Sequence, residues 1–307
     1  MLLVLGGATG TGKTGLSLDV AEAVAAAGGA AEVVNADAMQ LYRGMDVGTA
    51  KPSPEERRGI PHQCFDLWDV TETASVAVYR DAARAAIADV EARGAVPILV
   101  GGSGLYVESV VRELDFPATD PDLRADLEQQ AEVLGADALW RRLAEEDPVA
   151  AGRIHSANLR KVVRALEVVT LTGRPFAASL PDAAPLWRPA VRVVVDVPKE
   201  PLAERLTRRA EAMWRDDALL DEVRALLPLG LADGQTSSRA IGYAQAIAVL
   251  AGDMTREEGL AETVRLTWRL VRRQRAWFAR DEGALAVDGL DPDRTARVLD
   301  ALRGAAG

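Results

Sequence analysis

Near its start the chain carries Gly7-Ala8-Thr9-Gly10-Thr11-Gly12-Lys13-Thr14, which fits G-x-x-x-x-G-K-[ST] at every fixed position. This pattern constrains the fold because it works only where a buried strand delivers it and a helix leaves it. Both are present. Leu2-Leu3-Val4-Leu5 is an apolar run before the glycines, and Thr14 to Ala27 has apolar residues at helical spacing after them. The glycines let backbone amides turn inward around an anion at the positive end of the helix. Lys13 adds a point charge, and the Thr14 hydroxyl is placed to hold Mg²⁺. Gly7 to Thr14 is therefore expected to bind a di- or triphosphate.

The rest of the chain repeats the strand-then-helix rhythm. Glu32 to Asn35 reads as a second strand, and Val78 to Arg93 as an alanine-rich helix stopped by Gly94. Pro97 to Val100 reads as a short buried strand running into Gly101-Gly102, and Val191 to Val197 as a β-branched one. The alternation predicts an α/β fold: a parallel, P-loop NTPase-like sheet with helices on both faces. From Phe116 to Pro189 the pattern turns helical and polar, bracketed by Pro117, Pro121, Pro181, Pro185 and Pro189. The expected organisation is a core of residues 1–115 and 190–307, ending in helices, with a helical insertion over 116–189.

A phosphate loop does not say what the phosphate is attached to. An ordinary nucleotide hydrolase would place a magnesium-holding aspartate at the end of an apolar strand, but Ile98-Leu99-Val100 runs into Gly-Gly-Ser. An Asn-Lys-x-Asp guanine reader is also missing. The net charge of −10 argues mildly against wholesale nucleic-acid binding. The basic residues are segregated, however: Arg265, Arg269, Arg272, Arg273, Arg275 and Arg280 form a run with no acid inside it. Arg153, Arg160, Lys161, Arg164 and Arg174 form a second group. Either group also fits a solvated helix face. The single cysteine, Cys64, excludes an internal disulfide and a cysteine-based zinc site. No run approaches the roughly 18 apolar residues of a membrane span, so a cytoplasmic protein is expected.

The second strand runs into Asp37. In an open parallel sheet, residues just past a strand's carboxyl end face the ligand crevice, which puts this carboxylate near whatever the loop holds. A helix-capping or loop aspartate is the plain alternative.

The surrounding run, Asp37-Ala38-Met39-Gln40-Leu41-Tyr42-Arg43-Gly44-Met45-Asp46-Val47-Gly48-Thr49-Ala50-Lys51-Pro52, resembles the signature of the tRNA dimethylallyltransferases. Further similarity follows at Pro61-His62, Asp66, Gly101-Gly102-Ser103-Gly104-Leu105-Tyr106, Arg153-Ile154-His155, Arg164-Ala165-Leu166-Glu167, Ala240-Ile241-Gly242-Tyr243 and Arg273-Gln274-Arg275-Ala276-Trp277-Phe278. The resemblance spans nearly the whole chain.

It implies a bacterial-type prenyltransferase that moves a five-carbon group from dimethylallyl diphosphate to the adenosine on the 3′ side of a tRNA anticodon. Lys13, Thr14 and the loop amides would hold the diphosphate, Thr14 would hold Mg²⁺, and Arg209 would join them. Asp37 would be the general base for the adenine amine. Asp37, Ala38, Met39, Gln40 and Ser103 would contact the extruded base and its neighbours. Arg124, Lys161 and Arg164 of the insertion, with Arg273 and Gln274, would contact the tRNA. Trp268 and Trp277 are expected in the core. Ala38 replaces a usual serine, and Ser156-Ala157-Asn158 replaces a usual Pro-Asn-Asp, putting the local cap in question. A monomer is the family expectation. An adenylate isopentenyltransferase, prenylating a free nucleotide, is the alternative enzyme; an RNA-binding protein with a decayed loop is the non-catalytic one.

Overall fold

A computed structural model describes residues 1–117, 119–176 and 184–306, so Pro181 lies outside the described residues. The chain forms two compact units: Met1–Arg112 with Leu186–Gly307, and Glu113–Pro185. The first unit carries a sheet of β1 (Leu2–Gly6), β2 (Ala31–Asn35), β3 (His62–Gln63), β4 (Val96–Gly101), β5 (Ala190–Asp196) and β6 (Leu285–Asp288). All neighbours are parallel, in the order β3-β2-β4-β1-β5-β6. Its first helices are α1 (Lys13–Ala26), α2 (Val76–Ala92) and α3 (Gly104–Val111). The second unit holds α4 (Pro121–Leu134), α5 (Ala136–Glu146), α6 (Pro148–Arg153) and α7 (Leu159–Thr172). The first unit then resumes with α8 (Lys199–Trp214), α9 (Ala218–Leu226), α10 (Tyr243–Ala251), α11 (Arg256–Phe278) and α12 (Arg294–Ala306).

The inner strands are largely apolar, and β1 and β4 wholly so, because helices cover both faces of the sheet. Leu3 and Leu5 of β1 join Val33, Ile98, Val193 and Val195 against Leu16 and Val20 of α1 and Val298 of α12. Leu2 and Val4 point the other way and join Val34 and Leu99 against Tyr79 and Ile87 of α2 and Val107 of α3. Chain order reverses at β1, whose neighbours are β4 and β5, so the crevice at the strands' carboxyl ends opens beside the loop that leaves β1. The two strands that sequence reasoning missed, β3 and β6, are both edge strands of only two and four residues. Among the described residues no helix is long and apolar enough to cross a membrane.

The boundaries of the helical unit differ from the expected 116–189. Arg112 and Leu186 form an antiparallel bridge, and Arg84 donates to the carbonyls of Val110 and Arg112. These contacts hold residues 186–189 in the sheet-bearing unit, and the chain leaves that unit after Arg112.

Within the helical unit, Leu127, Leu139, Leu143, Ile154, Val162 and Leu166 form a core of their own. The side chain of Asn158 caps α7 by accepting from the Lys161 amide at 3.3 Å, so the cap survives the altered turn sequence. Glu167 on α7 is wholly buried. It accepts from Arg124 at 2.6 Å, Arg164 at 2.7 Å and the Asp120 amide at 2.9 Å. Its lowered pKa follows from these donors, which together overcome the opposing cost of burial, the largest single influence.

Removing the carboxylate would leave two guanidinium groups facing each other. We expect Glu167→Ala to cost this unit about 2–3 kcal/mol, toward the low end for breaking a buried pair because both arginines reach solvent. A urea titration followed by circular dichroism checks this; an unchanged midpoint would contradict it.

Candidate active site

The loop after β1 is shaped by backbone conformations that side chains rarely tolerate. Gly7 has φ 141°, and a Cβ there would lie 2.2 Å from the Val195 carbonyl oxygen. Gly12 has φ 92° and is the N-cap of α1, turning the chain so that successive amides face one point. The interior of the loop is satisfied from within. Thr11 is fully buried and its hydroxyl donates to the Ala8 carbonyl at 2.9 Å. Gly7, Ala8 and Thr11 therefore form the backing of the cradle, while Thr9, Gly10, Gly12, Lys13 and Thr14 line the cavity in front of it. Lys13 Nζ donates to the same Ala8 carbonyl at 2.6 Å. Withdrawal from water pulls its pKa from 10.5 down to about 8; the nearby Asp37 carboxylate offsets part of this and Arg209 adds to it.

Two other segments hold the cradle. Gln274 of α11 is buried; its Oε1 accepts from the Thr9 amide at 2.9 Å and its Nε2 donates to the Gly102 carbonyl at 2.8 Å. It thus joins the loop after β1 to the loop after β4, a structural role that the expected tRNA contact did not include. Arg209 of α8 donates from Nη1 to Thr9 Oγ1 at 3.1 Å and from Nη2 to the Thr49 carbonyl at 2.9 Å. Burial lowers its pKa, and Asp37 opposes that shift.

Asp37 stands just past β2. The Asn35 side chain accepts from the Asp37 amide at 3.0 Å and donates to the Cys64 carbonyl at 3.1 Å. The Ala36 amide donates to the Val100 carbonyl at 2.7 Å. At Gly101 a Cβ would lie 2.3 Å from the Ala36 carbonyl oxygen, so only glycine lets the ends of β2 and β4 approach this closely. One oxygen of Asp37 accepts from the Met39 amide at 3.0 Å, which fixes the carboxylate's direction. Ser103 Oγ accepts from the Ala38 amide at 3.1 Å and braces the same turn. Gln40 donates to the carbonyls of Thr49 and Ala50, both at 3.2 Å.

These residues meet at one cavity of about 440 Å³, within the range of small-molecule sites. Lys13, Arg205 and Arg209 supply positive charge, Asp37 a carboxylate, and Val33, Phe65 and Val100 an apolar stretch of wall. Among the described residues there is no cluster of three or more His, Cys, Asp or Glu suited to a metal ion. Thr14 is exposed to the cavity. Its hydroxyl is the kind of oxygen a phosphate loop offers to Mg²⁺, which would take its remaining ligands from substrate phosphate and water.

The remaining expected contacts lie elsewhere. Met39 is partly buried against the main core. Arg273 and Lys161 are exposed, whereas Arg124 and Arg164 are committed to Glu167. Trp277 packs on the main core and Trp268 on the small cluster behind Ala8, as a core assignment expects. Sequence reasoning missed Arg205, although it lies one helical turn before Arg209 on α8. It also missed His62, which lines the cavity and stacks on Phe65 with ring centroids 5.5 Å apart.

Two predictions follow from the cradle. Gln274→Ala strands the Thr9 amide and the Gly102 carbonyl, and should weaken diphosphate binding about tenfold, the effect of one lost hydrogen bond near a buried group. Calorimetric titration checks it. Lys13 is charged below about pH 8. Affinity for an allyl diphosphate should therefore hold steady from pH 7 to 7.5 and fall as the lysine loses its proton. The ligand's last phosphate ionisation, near about pH 6, is already complete. Lys13→Met should abolish this limb.

The IPP transferase family model matches residues 40–281. A tRNA dimethylallyltransferase of Clavibacter sepedonicus is 54% identical over 97% of this chain and 97% of its own. One from Salinispora arenicola is 51% identical over 98% of this chain and 86% of its own. The solved full-length tRNA isopentenylpyrophosphate transferase of Bacillus halodurans superposes with a TM-score of 0.70 at 34% identity, over 99% of this chain and 97% of its own. These likenesses agree with the phosphate cradle and the carboxylate beside it: the chain belongs to the IPP transferase family, that of the tRNA dimethylallyltransferases.

Proposed function

We propose that the protein transfers the dimethylallyl group of dimethylallyl diphosphate to the exocyclic N6 of the adenosine that follows the anticodon, in tRNAs reading codons that begin with U. The observation that carries this reading is a cavity whose wall brings an amide cradle, Lys13 and Arg209 together with Asp37. The cradle and the cations suit a diphosphate. The facing carboxylate suits a proton acceptor, and the apolar wall beside them suits a short hydrocarbon.

The adenine amine is a poor nucleophile, because its lone pair is delocalised into the ring. In the proposed reaction that nitrogen forms a bond to the prenyl C1 while the C1–oxygen bond breaks. Asp37 takes the N6 proton, and the bonding electrons leave with diphosphate. Lys13, Arg209 and the loop amides stabilise the departing anion from fixed positions, which is the larger share of such catalysis. Mg²⁺, held through Thr14, would neutralise further charge on the diphosphate when bound. The adenine must leave the anticodon stack to reach a recessed carboxylate. Ala38, Met39, Gln40 and Ser103, on the turns around Asp37, are the residues proposed to meet it. Arg273 with exposed Arg269 and Arg272 on α11, and Lys161 in the helical unit, are proposed to hold tRNA phosphates without reading sequence. We further propose that it acts in the cytoplasm, where its tRNA substrate is found, and as a monomer, the state the family resemblance implies. The free-nucleotide alternative gains nothing from the relatives, which are named for tRNA.

Purified protein with Mg²⁺ should transfer labelled prenyl from dimethylallyl diphosphate to a tRNA of this class, and not to AMP. Transfer to AMP alone would reverse the acceptor. Asp37→Ala should lower turnover at least about a hundredfold, the usual loss for a general base, while tRNA still binds in a filter assay. Unchanged turnover per bound complex would remove Asp37 from the chemistry.

A further inference from the structure

Glu222 on α9 belongs to no sequence motif, yet its carboxylate accepts four hydrogen bonds beside the cavity wall. One oxygen accepts from the amides of Asp46 at 3.0 Å and Val47 at 2.7 Å. The other accepts from the Gly48 amide at 3.2 Å and from the Tyr243 hydroxyl. Three consecutive amides converging on one point form an anion nest. Here the anion is a side chain of the protein itself. Gly48 has to be glycine, because a Cβ would lie 2.4 Å from the Tyr243 ring. The Asp46–Lys51 segment and the Gly242-Tyr243 segment are thus joined through Glu222.

The segment so held continues directly into the cavity wall. Thr49 Oγ1 donates to the Met45 carbonyl at 2.7 Å, and Ala50 takes φ 48°, a strained value for a residue with a Cβ. Lys51, almost fully buried, is neutralised by Asp46 and Asp66, both at 2.6 Å. The result is a rigid turn that presents the Thr49 carbonyl. That carbonyl is the anchor for Arg209 Nη2, and Arg209 Nη1 reaches Thr9 in the cradle.

We propose that Glu222 is a positioning residue for the transfer reaction: by holding the amides of residues 46–48 it fixes the Thr49 carbonyl, and through it the guanidinium of Arg209. The inference rests on the proposed role of Arg209 at the diphosphate. Glutamine replaces one oxygen with an NH₂ group that cannot accept from an amide, so Glu222→Gln releases one side of the nest and leaves the cavity residues unchanged. A double-mutant cycle on kcat/KM for dimethylallyl diphosphate, at saturating tRNA, is the test. Glu222→Gln should lower kcat/KM about tenfold in the wild-type background and less than about twofold in the Arg209→Ala background. Equal losses in the two backgrounds would overturn the proposal, because a merely structural residue acts additively. An unaffected kcat/KM in Glu222→Gln would overturn it as well. If Arg209→Ala alone leaves kcat/KM unchanged, the assignment of Arg209 to the diphosphate fails instead. Tyr243→Phe removes one of the four donors to the same carboxylate. It should give a smaller loss, about threefold, with the same dependence on Arg209, and it keeps the cycle decisive if Glu222→Gln folds poorly.

Discussion

A ring of backbone amides can hold a diphosphate only if the chain bends into conformations that cost free energy and is kept there by its surroundings. Gly7 and Gly12 remove the steric penalty at the two ends of the bend. The closeness of Gly7 to the Val195 carbonyl, the Gln274 bonds to Thr9 and Gly102, and the Thr11 hydroxyl on Ala8 hold it from three directions. The positive charges gathered here are poorly solvated. Burial is the largest influence lowering the proton affinity of both Lys13 and Arg209; the Arg209 charge lowers that of Lys13 further, and Asp37 works against the shift in each. A site that holds partly desolvated cations gains most when an anion enters, so the proposed electrostatic preorganisation and affinity for diphosphate would have one origin.

The proposed proton acceptor depends on the same frame. Asp37 follows β2 and the cradle follows β1; between them lies β4, whose Gly101 lets the Ala36 backbone come close. The carboxylate's direction is then set by Met39 and its turn by Ser103 and Asn35. Sheet geometry, and not sequence proximity, brings together the group proposed to take a proton and the groups proposed to stabilise the leaving anion. Glu222, on the helix beside α8, extends this logic to Arg209.

How much of this was legible in the sequence depended on the range of the interaction. Local patterns marked β1, β2, β4 and β5 to within a residue or so, because buried parallel strands are largely apolar runs. β3 and β6 are too short to carry a pattern. The cradle was fully written in Gly7 to Thr14, and Asp37 could be placed by its distance from a strand end. What stayed hidden were long-range hydrogen bonds. Gln274 lies 265 residues from Thr9, and nothing in its neighbourhood marks it as a brace and not a surface polar group. Glu222 lies 174 residues from Gly48 and reads as one acid among many on an amphipathic helix. Arg124 and Arg164 looked like free charge until the fold buried Glu167 between them.

The central claim is a placement: the donor's diphosphate in the amide cradle and the Asp37 carboxylate against the attacking nitrogen. A crystal structure with a sulfur-bridged, unreactive analogue of dimethylallyl diphosphate and an anticodon stem-loop measures it directly. Phosphate oxygens are expected on the amides of residues 10–14 and on Lys13, with a carboxylate oxygen of Asp37 within hydrogen-bond reach of N6. A diphosphate bound outside the cradle, or an Asp37 side chain turned to solvent with both ligands in place, would contradict it.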